Sequence, residues 1–369
     1  MTSYTDLNTP ERLLLGPGPS MVHPRVLSVM SHPLIGHLDP TFVELMNEVQ
    51  DMLRQVFQTK NRLTIPIPGT GSAGMEAMLC NLIEPGDPFL ICVNGYFGMR
   101  MVDMAGRYGA EVHQINRPWG EVFTPEEIDA ALKQHPAKLV GIVHAETSTG
   151  ALQPIEGLAE IVHRHGALLL VDCVTSLGGV PVTVDAWDAD AVYSGTQKAL
   201  SCPPGLAPLT FGDRALDKLH NRKTKVANWY LDLSMLEKYW GSERTYHHTA
   251  PISMNFALRE ALRIVLEEGL EPRFARHREN AQMLWDGLKE LGMELHVEEP
   301  YRLPTLTTPL VPEGVDDAKL RGRLMNEFNI EISGGLGELK GKVLRIGLMG
   351  YSSSKQNVIT LLGALREIL

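Results

Sequence analysis

Lys198 stands in Ser194-Gly195-Thr196-Gln197-Lys198, among small and hydroxylated residues that leave room around its amine. The stretch follows an apolar run over 189–193 and precedes a loop over 199–208. Asp172 closes another apolar run, Ala167-Leu168-Leu169-Leu170-Val171. A carboxylate at the end of such a strand is costly unless it meets a cation or hydrogen-bond donors. A lysine that can form a Schiff base and an aspartate that can face a pyridinium nitrogen are the two groups that pyridoxal phosphate chemistry requires. The expectation is that Lys198 and Asp172 share one site.

Three more constellations bear on that chemistry. Gly69-Thr70-Gly71-Ser72-Ala73-Gly74 follows an apolar run over 63–67 and opens a helical stretch. The G-x-G-x-x-G spacing admits a dinucleotide, while the same backbone N–H groups and positive helix end can hold a single phosphate. A dinucleotide site wants an acid closing the next strand, but the run 89–93 ends in Asn94-Gly95. A glycine turn with packing duties only is the third reading. Glu146-Thr147-Ser148-Thr149-Gly150 follows the run 138–143; its hydroxyls can bond a cofactor's phenolic oxygen or simply make a turn. In Val343-Leu344-Arg345-Ile346-Gly347-Leu348 the alternation puts Arg345 on the face opposite Leu344, Ile346 and Leu348. A guanidinium among apolar neighbours needs an anion, either a substrate carboxylate or an internal one.

The elements that must position these groups alternate in kind. Short apolar runs predict strands over 63–67, 89–93, 111–115, 138–143, 167–172, 190–194 and 207–211, with helices over 71–83, 97–108, 125–135 and 155–165 between them. Asp39-Pro40 opens a helix ending near Phe57, with Asp39 as N-cap. Thr124-Pro125-Glu126-Glu127 is a capping box for the helix that follows. Such alternation implies a mostly parallel sheet flanked by helices, whose ligands bind beyond the carboxyl ends of the strands. Asp172 and Lys198 both fall at such ends. Helices over 251–268 and 271–291 lead to a C-terminal part with strands near 304–310 and 342–348 and helices over 316–328 and 354–369. The division expected is an N-terminal arm over 1–24, rich in proline and glycine, a large domain over 25–270 and a smaller α+β domain over 271–369.

A net charge of −10 over 369 residues argues against nucleic acid or an anionic membrane as partner. No apolar run reaches the ~20 residues of a membrane span. The N-terminus lacks a signal-peptide core and the C-terminus lacks a peroxisomal tripeptide, so the cytoplasm is the expected compartment. Cys80, Cys92, Cys173 and Cys202 are widely spaced and read as reduced thiols. The histidine spacings match no metal motif, and His144-Ala145-Glu146 is half of a zinc deaminase signature without its P-C-x-x-C partner; no metal is expected.

From Leu13-Leu14-Leu15-Gly16-Pro17-Gly18-Pro19-Ser20 to the last helix the chain resembles the class V aminotransferases, fold-type I pyridoxal phosphate enzymes. The likeness is most specific over 194–200, Tyr246-His247-His248-Thr249, Gly334-Gly335-Leu336-Gly337 and 343–347. It is closer still to the branch acting on alanine or serine with glyoxylate (serine–pyruvate types included). The resemblance implies that Lys198 carries pyridoxal 5'-phosphate, that Asp172 pairs with its ring nitrogen and that Ser148 bonds its phenolic oxygen. It also implies that Thr70, Gly71, Ser72 and Gln197 hold the phosphate, joined by Tyr246 and Thr249 from the second subunit of a homodimer with shared sites. Val174 and Phe97 would flank the ring, and Arg345 would take the carboxylate of a small amino acid or 2-oxo acid, with Gly18 and Ser148 beside it. Phe97 stands where some relatives have tryptophan, and Ser72 where some have histidine. Within the same chemistry a lyase or a cysteine desulfurase is the alternative, with Cys202 as the one loop cysteine near Lys198. From another class, a nicotinamide-dependent dehydrogenase rests on the glycine pattern alone, and a non-catalytic cofactor binder would show no half-reaction.

Overall fold

The seven apolar runs become strands within one residue of these limits in a computed structural model that describes residues 4–369. In chain order β1 (Leu13–Leu14) is followed by β2 (Leu63–Pro68), β3 (Pro88–Val93), β4 (Glu111–Asn116) and β5 (Leu139–Val143). A short hairpin, β6 (Ala145–Glu146) with β7 (Ala151–Leu152), precedes β8 (Leu168–Asp172), β9 (Ala191–Tyr193) and β10 (Leu206–Phe211). The seven-stranded sheet has the order β2-β10-β9-β8-β5-β3-β4, and within it only β10 runs against the others. Alternation along each strand feeds two separate cores. Leu169 and Val171 of β8 enter one apolar cluster while Leu170 enters the other. Where both faces are covered the strands read as continuous apolar runs, and all five residues of β5 are buried, whereas the edge strand β4 has none buried.

The covering helices begin with α1 (Pro24–Val29) and α2 (Pro40–Phe57). Between the strands lie α3 (Gly71–Leu82), α4 (Tyr96–Arg107), α5 (Pro125–Gln134), α6 (Leu158–Arg164) and α7 (Val184–Trp187). After β10 come α8 (Asp213–His220), α9 (Leu233–Trp240), α10 (Ile252–Glu268) and α11 (Leu270–Glu290). In α2 the Asp39 carboxylate accepts from the N–H of Thr41 at 2.8 Å, and Gln58 ends the helix in a left-handed conformation, φ 51°. The α5 capping box forms with both of its bonds.

A third apolar cluster gathers Leu284 and Leu288 of α11, Leu344 and Ile346 of β14 (Leu344–Gly347), and Val358 and Leu361 of α13 (Lys355–Ile368). It is built around a three-stranded sheet of β11 (Leu306–Thr307), β14 and β13 (Ser333–Gly334), with α12 (Asp317–Glu327) alongside. The N-terminal arm belongs to this part: β1 pairs in parallel with β12 (Ile330–Glu331), and Leu15 is buried in the same cluster.

Several local expectations need correction. The helix expected from 155 starts at Leu158, because Gly157 takes φ 79° and cannot continue a helical turn. The strand expected over 304–310 shrinks to β11, since Pro304 and Pro309 lack the N–H that a ladder uses. Helices α1, α7, α8 and α9 are absent from the sequence reading; at four to eight residues each, they show too little periodicity to register. Among the described residues no helix is long and apolar enough to cross a membrane.

The α2 face yields a comparison of magnitudes. Phe42 is fully buried and its ring meets Phe256 of α10 with centroids 6.5 Å apart. Phe42→Ala should cost about 3–5 kcal/mol of stability through its cavity, and Asp39→Ala only about 1 kcal/mol through its lost cap. Urea denaturation of the two variants checks the order; equal shifts would mean that α2 is not held by its buried face.

Candidate active site

β8 and β9 end together, with Asp172 and Tyr193 as register partners. The Tyr193 hydroxyl donates to Asp172 Oδ2, and the N–H of Val174 donates to Oδ1 at 2.8 Å. Asp172 is 2% exposed, and burial raises its carboxyl to about 6 despite those two bonds and the nearby charge of Lys198. The chain then turns through Ser194-Gly195-Thr196-Gln197 and brings Lys198 to the same edge. Its Nζ donates to the carbonyl of Pro17 in the arm. Burial lowers the Lys198 amine to about 8; the charge of Arg345 adds to this, and that of Asp172 opposes it.

These groups meet in a cavity of about 170 Å³ at the carboxyl edge of the sheet. Eight residues selected from the sequence line it: Thr70, Gly71, Ser72, Phe97, Asp172, Val174, Gln197 and Lys198. Larger clefts of about 310 and 550 Å³ lie elsewhere, but neither includes Lys198 or Asp172. At one wall α3 presents its N-terminus, and Thr70 makes no side-chain cap bond there. The first N–H groups of a helix have no intrahelical partner, so those of Gly71 and Ser72 suit an anion. Gly71 also permits close packing: a Cβ there would come within 3.1 Å of Val174. Among the described residues the Oε1 of Gln197 is buried without a hydrogen-bond partner.

Other selected residues stand behind this lining. Gly18 abuts Lys198, where a Cβ would lie 2.7 Å from Nζ. Ser148 is fully buried; its hydroxyl donates to Glu146 Oε1 at 2.6 Å and accepts from the N–H of Tyr96 at 2.9 Å. Arg345 reaches in from β14, with Nε donating to the Gly334 carbonyl at 2.8 Å and Nη1 to that of Thr147 at 3.4 Å. Burial lowers its guanidinium to about 10, opposed by the Glu146 carboxylate, so it stays charged at neutral pH. Tyr246 and Thr249 are not brought to the cavity of their own chain. Both are exposed, and Tyr246 packs against His37 with centroids 5.3 Å apart.

Residues 13–358 match the family described as "Aminotransferase class-V". The chain belongs to the class V aminotransferases. Among curated relatives of this class V aminotransferase, the alanine–glyoxylate aminotransferase of Rattus norvegicus is 46% identical over 98% of this chain and 89% of its own. The (S)-ureidoglycine–glyoxylate transaminase of Bacillus subtilis is 43% identical over 100% of this chain and 93% of its own. A crystal structure of an alanine–glyoxylate aminotransferase from Nostoc superposes with a TM-score of 0.99 at 57% identity, covering 100% of this chain and 97% of that one. A cysteine desulfurase from Thermococcus onnurineus shares only the fold, at 17% identity and a TM-score of 0.74. Class V aminotransferases are pyridoxal phosphate enzymes of fold type I. The residues present fit that cofactor: a neutralisable buried amine, a buried carboxylate, free helix N–H groups and an unmatched amide converge on one cavity.

This assignment removes the dehydrogenase reading. The desulfurase reading also lacks its nucleophile, because Cys202 is 2% exposed and burial pushes its thiol well up. Sequence reasoning assigned no role to three residues that build the site. Tyr193 orients Asp172, and its place at the end of the apolar run beside Ser194 was the available signal. Glu146 is fully buried and accepts from the N–H groups of Phe97 at 3.1 Å and Gly98 at 3.4 Å, which anchors the start of α4. Burial raises its carboxyl, against the hydrogen bonds from the Ser148 hydroxyl and the partner N–H groups. Arg100 lines the cavity from α4. Its signal was a cation near a helix N-terminus, where the dipole disfavours one.

The lowered amine of Lys198 predicts a pH profile. Only the neutral amine is nucleophilic, and an amine titrating at about 8 is half neutral at pH 8, against about 0.3% for an ordinary lysine. Capture of pyridoxal phosphate by the apo chain should therefore quicken as pH rises and level off above about 8. Stopped-flow absorbance measures this. A rate still climbing about tenfold per unit toward pH 10 would show an unperturbed lysine.

Proposed function

We propose that this class V aminotransferase moves the amino group of a small amino acid, alanine or serine, to glyoxylate. The observation that carries this is the buried Lys198 amine, set in one cavity with Asp172 and within the field of Arg345. Two relatives of near-equal identity have names that share glyoxylate and differ in donor, which supports glyoxylate as the acceptor.

Pyridoxal phosphate, when bound, supplies the electron sink that stabilises negative charge at the substrate's α-carbon. The chain's residues do the rest. Lys198 would hold the cofactor through Nζ, and that amine, once the substrate's amine takes its place, would carry a proton between the substrate's α-carbon and the cofactor carbon two atoms away. Asp172, ionised above about pH 6, keeps a proton on the ring nitrogen. Thr70, Gly71, Ser72 and Gln197 receive the phosphate, Val174 and Phe97 flank the ring, and Ser148 serves the phenolic oxygen. Arg345 takes the substrate carboxylate in its planar fork. Gly18 leaves room beside Lys198 for a small substrate.

The working unit we assign is a homodimer with shared sites. Tyr246, Trp229 and Tyr230 are large and exposed; Trp229 stacks on His247, next to Tyr246 in the chain, with centroids 4.4 Å apart, and Tyr230 meets His248 at 5.2 Å. Exposed aromatic side chains of this kind suit a protein partner. Tyr246 and Thr249 would complete the other subunit's phosphate site. The division into domains over 25–270 and 271–369 is supported by the separate C-terminal core, to which the arm over 1–24 contributes Leu15. Four buried free thiols support the cytoplasm as compartment.

Steady-state kinetics with alanine, serine and (S)-ureidoglycine, each against glyoxylate, pyruvate and oxaloacetate, tests the function. Glyoxylate should give the highest kcat/KM with alanine or serine. A preference for oxaloacetate, or for (S)-ureidoglycine over both amino acids, would overturn the assignment.

Subunit exchange tests the sharing. Lys198→Ala is mixed with a Tyr246→Phe, Thr249→Ala double variant. If sites are shared, each heterodimer has one intact site, and random mixing restores about a quarter of wild-type activity. Confirmed exchange with no gain over the parents would confine those residues to their own subunit.

A further inference from the structure

Arg100 lies five residues into α4 and turns its guanidinium toward the cavity. The guanidinium sits 4.7 Å from the ring centroid of Phe97 and 5.5 Å from that of Tyr96. Its Nη1 donates to the hydroxyl of Ser72 at 2.9 Å, the one hydrogen bond it makes among the described residues. No carboxylate of the described residues lies within ion-pair distance of it, although most arginines of this chain have one, such as Arg25, Arg259 and Arg263.

That placement is unfavourable as it stands. Ser72 is in the first turn of α3, so a fixed cation faces the positive end of a helix. Like charges gathered at one point of a cavity are explained by an anion between them. The donors assigned to the phosphate, namely Thr70, Gly71, Ser72 and Gln197, are all neutral. A dianionic phosphate among neutral donors lacks a counter-charge that a guanidinium, with its forked N–H groups, is shaped to supply. Arg100 keeps its remaining N–H groups free next to Ser72. Its field also reaches the far end of the cavity, where it favours the ionised form of Asp172 and the neutral form of Lys198.

We propose that Arg100 is the cationic ligand of the cofactor's phosphate, held in place by Ser72 on one side and the Phe97 ring on the other. This rests on the reading that α3 and Gln197 receive that phosphate. It also accounts for a serine at position 72: a short hydroxyl leaves space for the guanidinium and accepts one of its N–H groups.

The test compares two probes that differ only in the phosphate. Full-length apo wild type, Arg100→Met and Arg100→Lys are each titrated with pyridoxal 5'-phosphate and with pyridoxal, following absorbance and tryptophan fluorescence. The methionine variant should bind pyridoxal phosphate roughly 10- to 100-fold more weakly, with pyridoxal changed by less than about threefold. The lysine variant, which keeps the charge without the fork, should fall between and guards against misfolding of the methionine variant. Equal losses for both probes in both variants would mean that Arg100 acts only by backing Phe97, and undiminished pyridoxal phosphate affinity would remove it as a ligand. A wild type that binds the two probes equally would instead overturn the phosphate site itself, a result seen without any substitution.

Discussion

Burying Lys198 and Asp172 in one cavity creates an attraction that the fold must keep from closing. Taking either charge out of water costs several kcal/mol, and the simplest relief would be a direct ion pair. The structure satisfies each group separately. The oxygens of Asp172 are taken by Tyr193 and the N–H of Val174, while the amine of Lys198 is taken by the Pro17 carbonyl. The space between them is what a flat ring ligand needs. The same separation explains the two shifted titrations: burial favours the neutral form of each, and their mutual attraction offsets it only partly.

Holding that separation draws on distant parts of the chain. The arm must lie against the lysine, and it is tied there by Ser20, whose hydroxyl donates to the Lys198 carbonyl at 2.7 Å and whose N–H donates to that of Gln197 at 2.9 Å. The arm in turn joins the C-terminal core through β1 and β12. The junction of α10 and α11 makes a second tie. Arg273 donates to the carbonyls of Gly178 at 2.7 Å and Ala199 at 2.6 Å, while Arg276 donates to Gly350 at 3.0 Å, and Glu268 binds both arginines. The loop that carries Lys198 is thereby coupled to the part that carries Arg345.

The sheet and most of its helices could be read directly from residue order. Alternating apolar runs and helical periodicities are local signals, and burial on both faces made the inner strands such as β5 plain. Where backbone chemistry intervened, as with Gly157 and the prolines around β11, the reading drifted by a few residues. Lys198, Asp172 and the Gly69–Gly74 turn were legible because each breaks a local rule: a charge after a buried strand, or glycines opening a helix.

Residue types and their spacing alone therefore determined the fold class and singled out the amine, the carboxylate and the glycine-rich helix start. Only the tertiary structure decided what holds them. Tyr193 reaches Asp172 from the neighbouring strand, Pro17 reaches Lys198 across 181 residues, and Glu146 braces the start of α4 from 49 residues further along. Arg100 meets Ser72 only because α3 and α4 pack together. Such contacts leave no periodicity in the sequence. They join groups that are ordinary where they stand in the chain and become significant when burial removes the water that would otherwise have solvated them.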